Sequence, residues 1–183
     1  MLLLHLVIAH LLGDFVFQSD RLIQKKYRHW GGVLQHASIV TIFNILAIFP
    51  FWKQREAWWI IAIIFVVHFV QDVLKVGYEK RYNQKKRSTW PFFLDQIFHF
   101  ALMICLVTQI PLQGMEIVPD FAGMLIKGWL AGLIVVTYVW EITLYQFKRK
   151  AKKSAKLKFQ LRAMLGRLAI FTALFGLGCL ALI

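Results

Sequence analysis

Three helix-length apolar runs each carry a histidine and an aspartate four residues apart: His10 with Asp14, His68 with Asp72, and Asp95 with His99. Residues at i and i+4 share one face of a helix, so each pair can aim an imidazole nitrogen and a carboxylate at one point. A carboxylate inside a bilayer costs about 2.5–3.5 kcal/mol on insertion scales. Three of them beside four histidines, His36 being the fourth, either pair with one another and staple the bundle without metal or hold a cation, and a common depth on four helices favours the cation. The seven side chains exceed the four ligands of a closed structural zinc site. They therefore predict one or two divalent ions, zinc first and manganese or iron as alternatives, held by His10, Asp14, His36, His68, Asp72, Asp95 and His99. Asp72 and Asp95 are the candidate catalytic carboxylates, placed to orient a water. No serine or cysteine with a neighbouring base offers itself as a covalent nucleophile.

The elements that carry these residues are membrane spans. The chain has 183 residues, 59% of them hydrophobic and 15% aromatic, with a mean hydropathy of +0.60. That is too apolar for a soluble domain of this length. The fold class expected is an all-α polytopic membrane bundle of about six transmembrane helices, near residues 1–18, 33–52, 57–76, 91–112, 123–147 and 162–183. The first run has no basic region before it and no small-residue cleavage pattern, so it reads as a retained span. Cys105 and Cys179 lie in apolar runs and carry no metal-knuckle or redox spacing.

Basic residues set the orientation. Arg21, Lys25, Lys26 and Arg28 follow the first span; Lys80, Arg81, Lys85, Lys86 and Arg87 follow the third, just after Lys75. The stretch 148–162 holds eight basic residues and no acid. The second link has only Lys53 and Arg55, and the fourth only Glu116 and Asp120 as charges. Under the positive-inside rule the odd-numbered loops are cytoplasmic and both termini face outward. The net charge of +13 is then topogenic and lipid-directed, drawing anionic headgroups to the basic loops; no nucleic acid is expected. At 1.5 Å rise per residue, Asp14, Asp72 and Asp95 lie about 6 Å from the cytoplasmic ends of their spans and His10, His68 and His99 about 12 Å. His36 lies about 5 Å in, level with the aspartates.

Residues 1–112 thus form a four-helix metal-site core, and 113–183 add two accessory helices joined by the basic cytoplasmic loop. His5 is about 140° round the helix from His10 and stays outside the site; His29 falls in a solvated loop. Gln18, Gln35, Gln71 and Gln96 stand beside ligand positions as hydrogen-bond partners or solvated groups. Lys75 either neutralises Asp72, meets a substrate phosphate or snorkels to headgroups, the last being the simplest. Glu141 and Arg167 read as an interhelical ion pair, and Trp58, Trp59 and Trp90 as interfacial anchors. Residues 10–14 and 68–72 are offset by 58 positions and His36 and Asp95 by 59, a hint of a duplicated two-helix unit.

The segments HLLGDFVFQSD, VLQH, HFVQDVLK and FLDQIFH, in that order, resemble a group of small bacterial inner-membrane proteins classed as a domain of unknown function, over about residues 1–105. More distantly, the H-x-x-x-D helices resemble membrane-bound metal-dependent hydrolases and the helical multi-zinc phospholipase C and nuclease group. That resemblance implies phosphoester chemistry on a lipid; the HxxxE motif and free N-terminal amine of the soluble enzymes are not evident. Competing classes are a metal-ion or proton-coupled transporter, a haem protein with two of His36, His68 and His99 as axial ligands, and a non-catalytic membrane protein with a structural metal site or a 148–162 docking arm. The apolar outer halves of spans two to four, Ile39 to Pro50 for example, speak against a transport path.

Overall fold

The computed structural model describes residues 2–83, 88–110, 121–151, 157 and 159–180. It is all-helical. Helix α1 (Leu2–Leu11) continues through a π turn (Leu12–Val16) and meets α2 (Asp20–Arg28) at a bend of 85°. Then come α3 (Trp30–Ala47), α4 (Arg55–Tyr78, extended by a π turn over Glu79–Asn83) and α5 (Trp90–Gln109). Finally α6 (Phe121–Ile134) passes through a third π turn (Val135–Val139) into α7 (Trp140–Ala151), and α8 is Leu161–Leu180. Five helical stretches among the described residues are long and apolar enough to cross a membrane, and six if α1 and α2 count as one broken span. The protein is therefore a multi-pass membrane protein. Lys85, Lys86, Arg87, Glu116, Asp120 and residues 152–156 and 158 of the basic tract lie outside the described residues.

Helix α1 is central, packing against α3, α5 and α6, while α4 bridges α3 and α5. At the end of the bundle nearest Leu2, the core is apolar throughout: Leu2, Leu6, Ile48, Phe51, Ala57, Ile60, Ile61, Ile64, Met103 and Leu106. His5 sits there, edge-on to Phe51 at 5.5 Å, away from the other histidines. A second cluster, Leu11, Phe15 and Phe92, seats α6 and α7 through Ala131, Ile134, Tyr138 and Ile142. Helix α8 attaches by Arg167, whose Nε donates to Val136 O at 2.8 Å within the π turn and whose Nη2 pairs with buried Glu141, as the sequence suggests. A π turn shifts the backbone ladder out of register, and the arginine supplies a donor at the altered carbonyl.

The segment 19–29 departs from the sequence expectation of a solvated basic loop. It is a helix because Ser19 caps it, its Oγ accepting from Leu22 N at 3.3 Å, and because Asp20 opens and Lys25, Lys26 and Arg28 close it in accord with the helix dipole. His29 is extended and caps α3, Nδ1 accepting from Gly31 N at 2.9 Å, so the two helices follow without a linker. Gly32 lets them touch. A Cβ there would fall 2.4 Å from the Lys25 carbonyl carbon.

Candidate metal centre

All seven residues singled out in the sequence meet in one buried cluster. Each is between 0% and 8% exposed. His36 Nε2 lies 3.1 Å from Asp14 Oδ1 and 3.5 Å from Asp72 Oδ2, and His68 Nε2 lies 3.7 Å from each of those oxygens. His10 Nε2 is 3.7 Å from Asp14 Oδ2, and His99 Nε2 is 3.3 Å from Asp95 Oδ1. The rings of His68 and His99 stack at 4.1 Å, and that of His10 stands 5.8 Å and 5.1 Å from them. The three histidines at one expected depth are thus neighbours, while His36 faces the carboxylates.

The π turn positions Asp14. Phe17 N bonds Leu12 O at 2.9 Å, and Gly13 brings α1 so close to α3 that a Cβ would lie 2.7 Å from Val40 Cγ2. That approach lets the Asp14 carboxylate reach His36 across the helix boundary.

The donor set fits a cation. Bonds of about 2.0–2.1 Å at a tetrahedral ion place neighbouring donors about 3.3 Å apart, the range of these nitrogen–oxygen separations. Three groupings, His10–Asp14–His68, His36–His68–Asp72 and Asp14–Asp95–His99, each hold ligand atoms within 4.8 Å of one another. Asp14 Oδ1, His68 Nε2, Asp95 Oδ1 and His99 Nε2 are buried and, among the described residues, meet no partner in hydrogen-bond geometry. Imidazole nitrogens and carboxylate oxygens buried 3.1–3.7 Å from one another can surround a cation as well as pair among themselves.

Two lysines also enter the cluster, and here sequence reasoning fell short. Lys26, expected in a solvated loop, is buried with Nζ 2.7 Å from Asp72 Oδ2. The α2–α3 contact through Gly32 turns it inward, and Tyr27 beside it bonds Glu79, which lines the same cavity. Lys75 does not snorkel. Its Nζ donates to Asp95 Oδ2 at 2.6 Å and stands 5.8 Å from the Phe92 ring centroid. The amphipathic spacing of residues 20–28 was the one signal that could have revealed Lys26.

The four glutamines divide. Gln96 Nε2 donates to Asp14 Oδ2 and Asp95 Oδ2, each at 3.2 Å, and its Oε1 lies 3.2 Å from His10 Nε2, so it ties α1 to α5. Gln18 Nε2 donates to His36 Nδ1 at 3.1 Å. Gln35 is exposed, accepting from Lys25 at 2.6 Å, and Gln71 is half-buried beside α5. Trp58, Trp59 and Trp90 are exposed on the bundle's outer face, where interfacial anchors belong. His36 and Asp95, equivalent if the sequence is duplicated, have different partners.

A cavity of ≈ 540 Å³ opens onto the cluster, lined by Asp14, Gln18, Lys26, Lys75, Asp95 and Gln96 together with parts of α2 and α7. Of the two carboxylates expected to be catalytic, Asp95 lines this cavity, while Asp72 lies behind it, 2% exposed. Helix α7, expected only to pack beside the site, forms part of the wall through Ile142, Tyr145 and Gln146.

Residues 2–124 match the model of a family described as a protein of unknown function (DUF3307). The matched stretch carries every histidine, aspartate and lysine of the cluster. No curated protein and no solved structure matches the chain.

Proposed function

The chain belongs to the DUF3307 family, and from that premise we propose that it is a metal-dependent hydrolase of membrane phosphodiesters, acting from the cytoplasmic face of a bacterial inner membrane. The observation that carries the reading is the convergence of four imidazoles and three carboxylates beside a cavity that also presents two lysines. His10, Asp14, His36, His68, Asp72, Asp95 and His99 would hold the ion, with zinc the best match to a histidine-rich set. Such an ion polarises a phosphoryl oxygen and acidifies water.

Charge argues for one divalent ion. With ligating imidazoles neutral, three aspartates, the buried Glu79 on the cavity wall and two lysines sum to two negative charges. One divalent cation brings the sum to zero. Two ions would leave plus two before substrate binds, costly in a buried site.

The chain's own groups complete the chemistry. The ammonium groups of Lys26 and Lys75 have three donors each and one carboxylate contact apiece, leaving hydrogens for phosphate oxygens. Asp95, on the cavity wall, accepts a proton from the attacking water; the water oxygen bonds phosphorus, the ester P–O bond breaks, and the leaving alkoxide takes the proton. Asp72 holds Lys26 and the imidazoles in place. Transport is disfavoured because Leu6, Ile60, Ile61, Ile64, Met103 and Leu106 close the bundle beyond the histidines.

Elemental analysis of gently purified protein tests the reading together with turnover of a phospholipid panel. One zinc-class ion per chain is expected, with activity lost on chelation, restored by zinc or manganese, and lost in His68→Ala and Asp95→Ala. A fully loaded protein inert across that panel overturns it.

A further inference from the structure

A second cavity, ≈ 580 Å³, lies between α4 and α5 and is of different character. Its walls include Leu74, Tyr78, Trp90, Leu94 and Phe98, all exposed on the outer face of two membrane-spanning helices. It therefore opens sideways, toward lipid. Lys75 and Asp95 line both this groove and the polar cavity that meets the cluster at Asp14. Each volume is within the ~300–1,000 Å³ of small-molecule sites.

One ligand chemistry matches two compartments that differ in this way and share a lysine. The apolar groove suits hydrocarbon, the lysine suits an anionic phosphate, and the polar cavity suits the remainder of a headgroup. Tyr78 and Trp90 flank the groove at the ends of their helices, where aromatic rings mark the headgroup level. We infer that the α4–α5 groove holds an acyl chain of a phospholipid whose phosphate is presented to Lys75, so that the substrate enters laterally from the bilayer. This rests on the proposed hydrolysis for its chemical outcome, but the binding stands without it.

The test is photolabelling in nanodiscs, with the protein chelated so that no turnover is required. The probe is phosphatidylglycerol bearing a diazirine on one acyl chain; diacylglycerol with the same chain is the uncharged arm and excess glycerol 3-phosphate the chainless competitor. Labelling is expected to concentrate on 71–78 and 90–98, at least fivefold above diacylglycerol. Lys75→Met should bring it down to the diacylglycerol level, Lys75→Arg should retain it, and glycerol 3-phosphate should not displace it. Leu94→Trp, or Phe98→Trp should the first variant not fold, should reduce labelling by either lipid.

Equal labelling by both lipids, or labelling spread evenly over α6 and α8, overturns the inference and marks ordinary annular lipid. Full displacement by glycerol 3-phosphate overturns it in favour of a free phosphate ligand. A loaded protein that fails on the turnover panel yet labels as expected would sink the hydrolase and leave the groove; turnover without labelling would do the reverse.

Discussion

At the residue scale, the cluster is held by pairs in which each member depends on the other. Lys26 and Asp72 are both buried, so removing one strands the other charge away from water. Breaking such a pair costs about 3–5 kcal/mol, whereas replacing both partners with apolar groups is often near neutral. Lys26→Met should therefore destabilise the protein by about 3–5 kcal/mol, and Lys26→Met with Asp72→Leu should recover most of the loss, as read by thermal unfolding in detergent. The double variant should still lose metal, because Asp72 leaves with the pair. His68 sits at the centre of the set, near Asp14, Asp72 and three other rings. Its replacement by alanine should lower zinc affinity more than tenfold, measured by competition with a chromophoric chelator. Gln96→Leu removes only a ligand-positioning amide, so a loss of about 10–100-fold is expected there.

At the element scale, two glycines and a π turn decide where the polar groups go. Gly13 and Gly32 stand where backbone meets backbone or a β-branched side chain, and a methyl group has no room at either. Gly77, on the outside of α4, has open space around it. Gly32→Ala should push α2 off α3, withdraw Lys26 from Asp72 and raise protease cleavage within 19–29. Gly77→Ala should keep metal and be neutral or up to about 1 kcal/mol more stable, since alanine is the better helix former. Equal protease resistance in the two variants would show that α2 does not depend on this contact. The helix α2 itself was hidden in a run of basic residues that the positive-inside rule accounts for equally well as a loop.

At the scale of the whole molecule, the bundle divides into an apolar half around Leu6, Ile60 and Met103 and a polar half around His68. On the proposed orientation, the polar half is the cytoplasmic one. With Cys105 and Cys179 replaced by serine, single cysteines at Arg21 and Lys53 should react with a membrane-impermeant maleimide from opposite sides, Arg21 from the cytoplasm. Labelling of both from the same side would overturn the orientation. Helix α8 buries little, and its attachment to the bundle uses Arg167 reaching Glu141 and the Val136 carbonyl, with Trp129 of α6 bonding Thr172 at 3.3 Å. The Arg167–Glu141 pair was legible because a carboxylate and a guanidinium at similar depth in adjacent spans have few alternatives to each other.

Sequence by itself determined that the chain crosses a membrane several times and that seven histidines and aspartates can share a level, because apolar run length and a 1.5 Å rise fix depth without any knowledge of neighbours. It also selected His5 as an outsider, since rotation about one helix is a local property. Only the tertiary structure decided that Lys26 and Lys75 turn inward, that Asp95 rather than Asp72 faces the cavity, and that α7 closes the wall. Those outcomes depend on which helix lies against which and at what separation. Interhelical distance is set at points such as Gly13 and Gly32 by the absence of a side chain, which a single sequence records only as two more glycines.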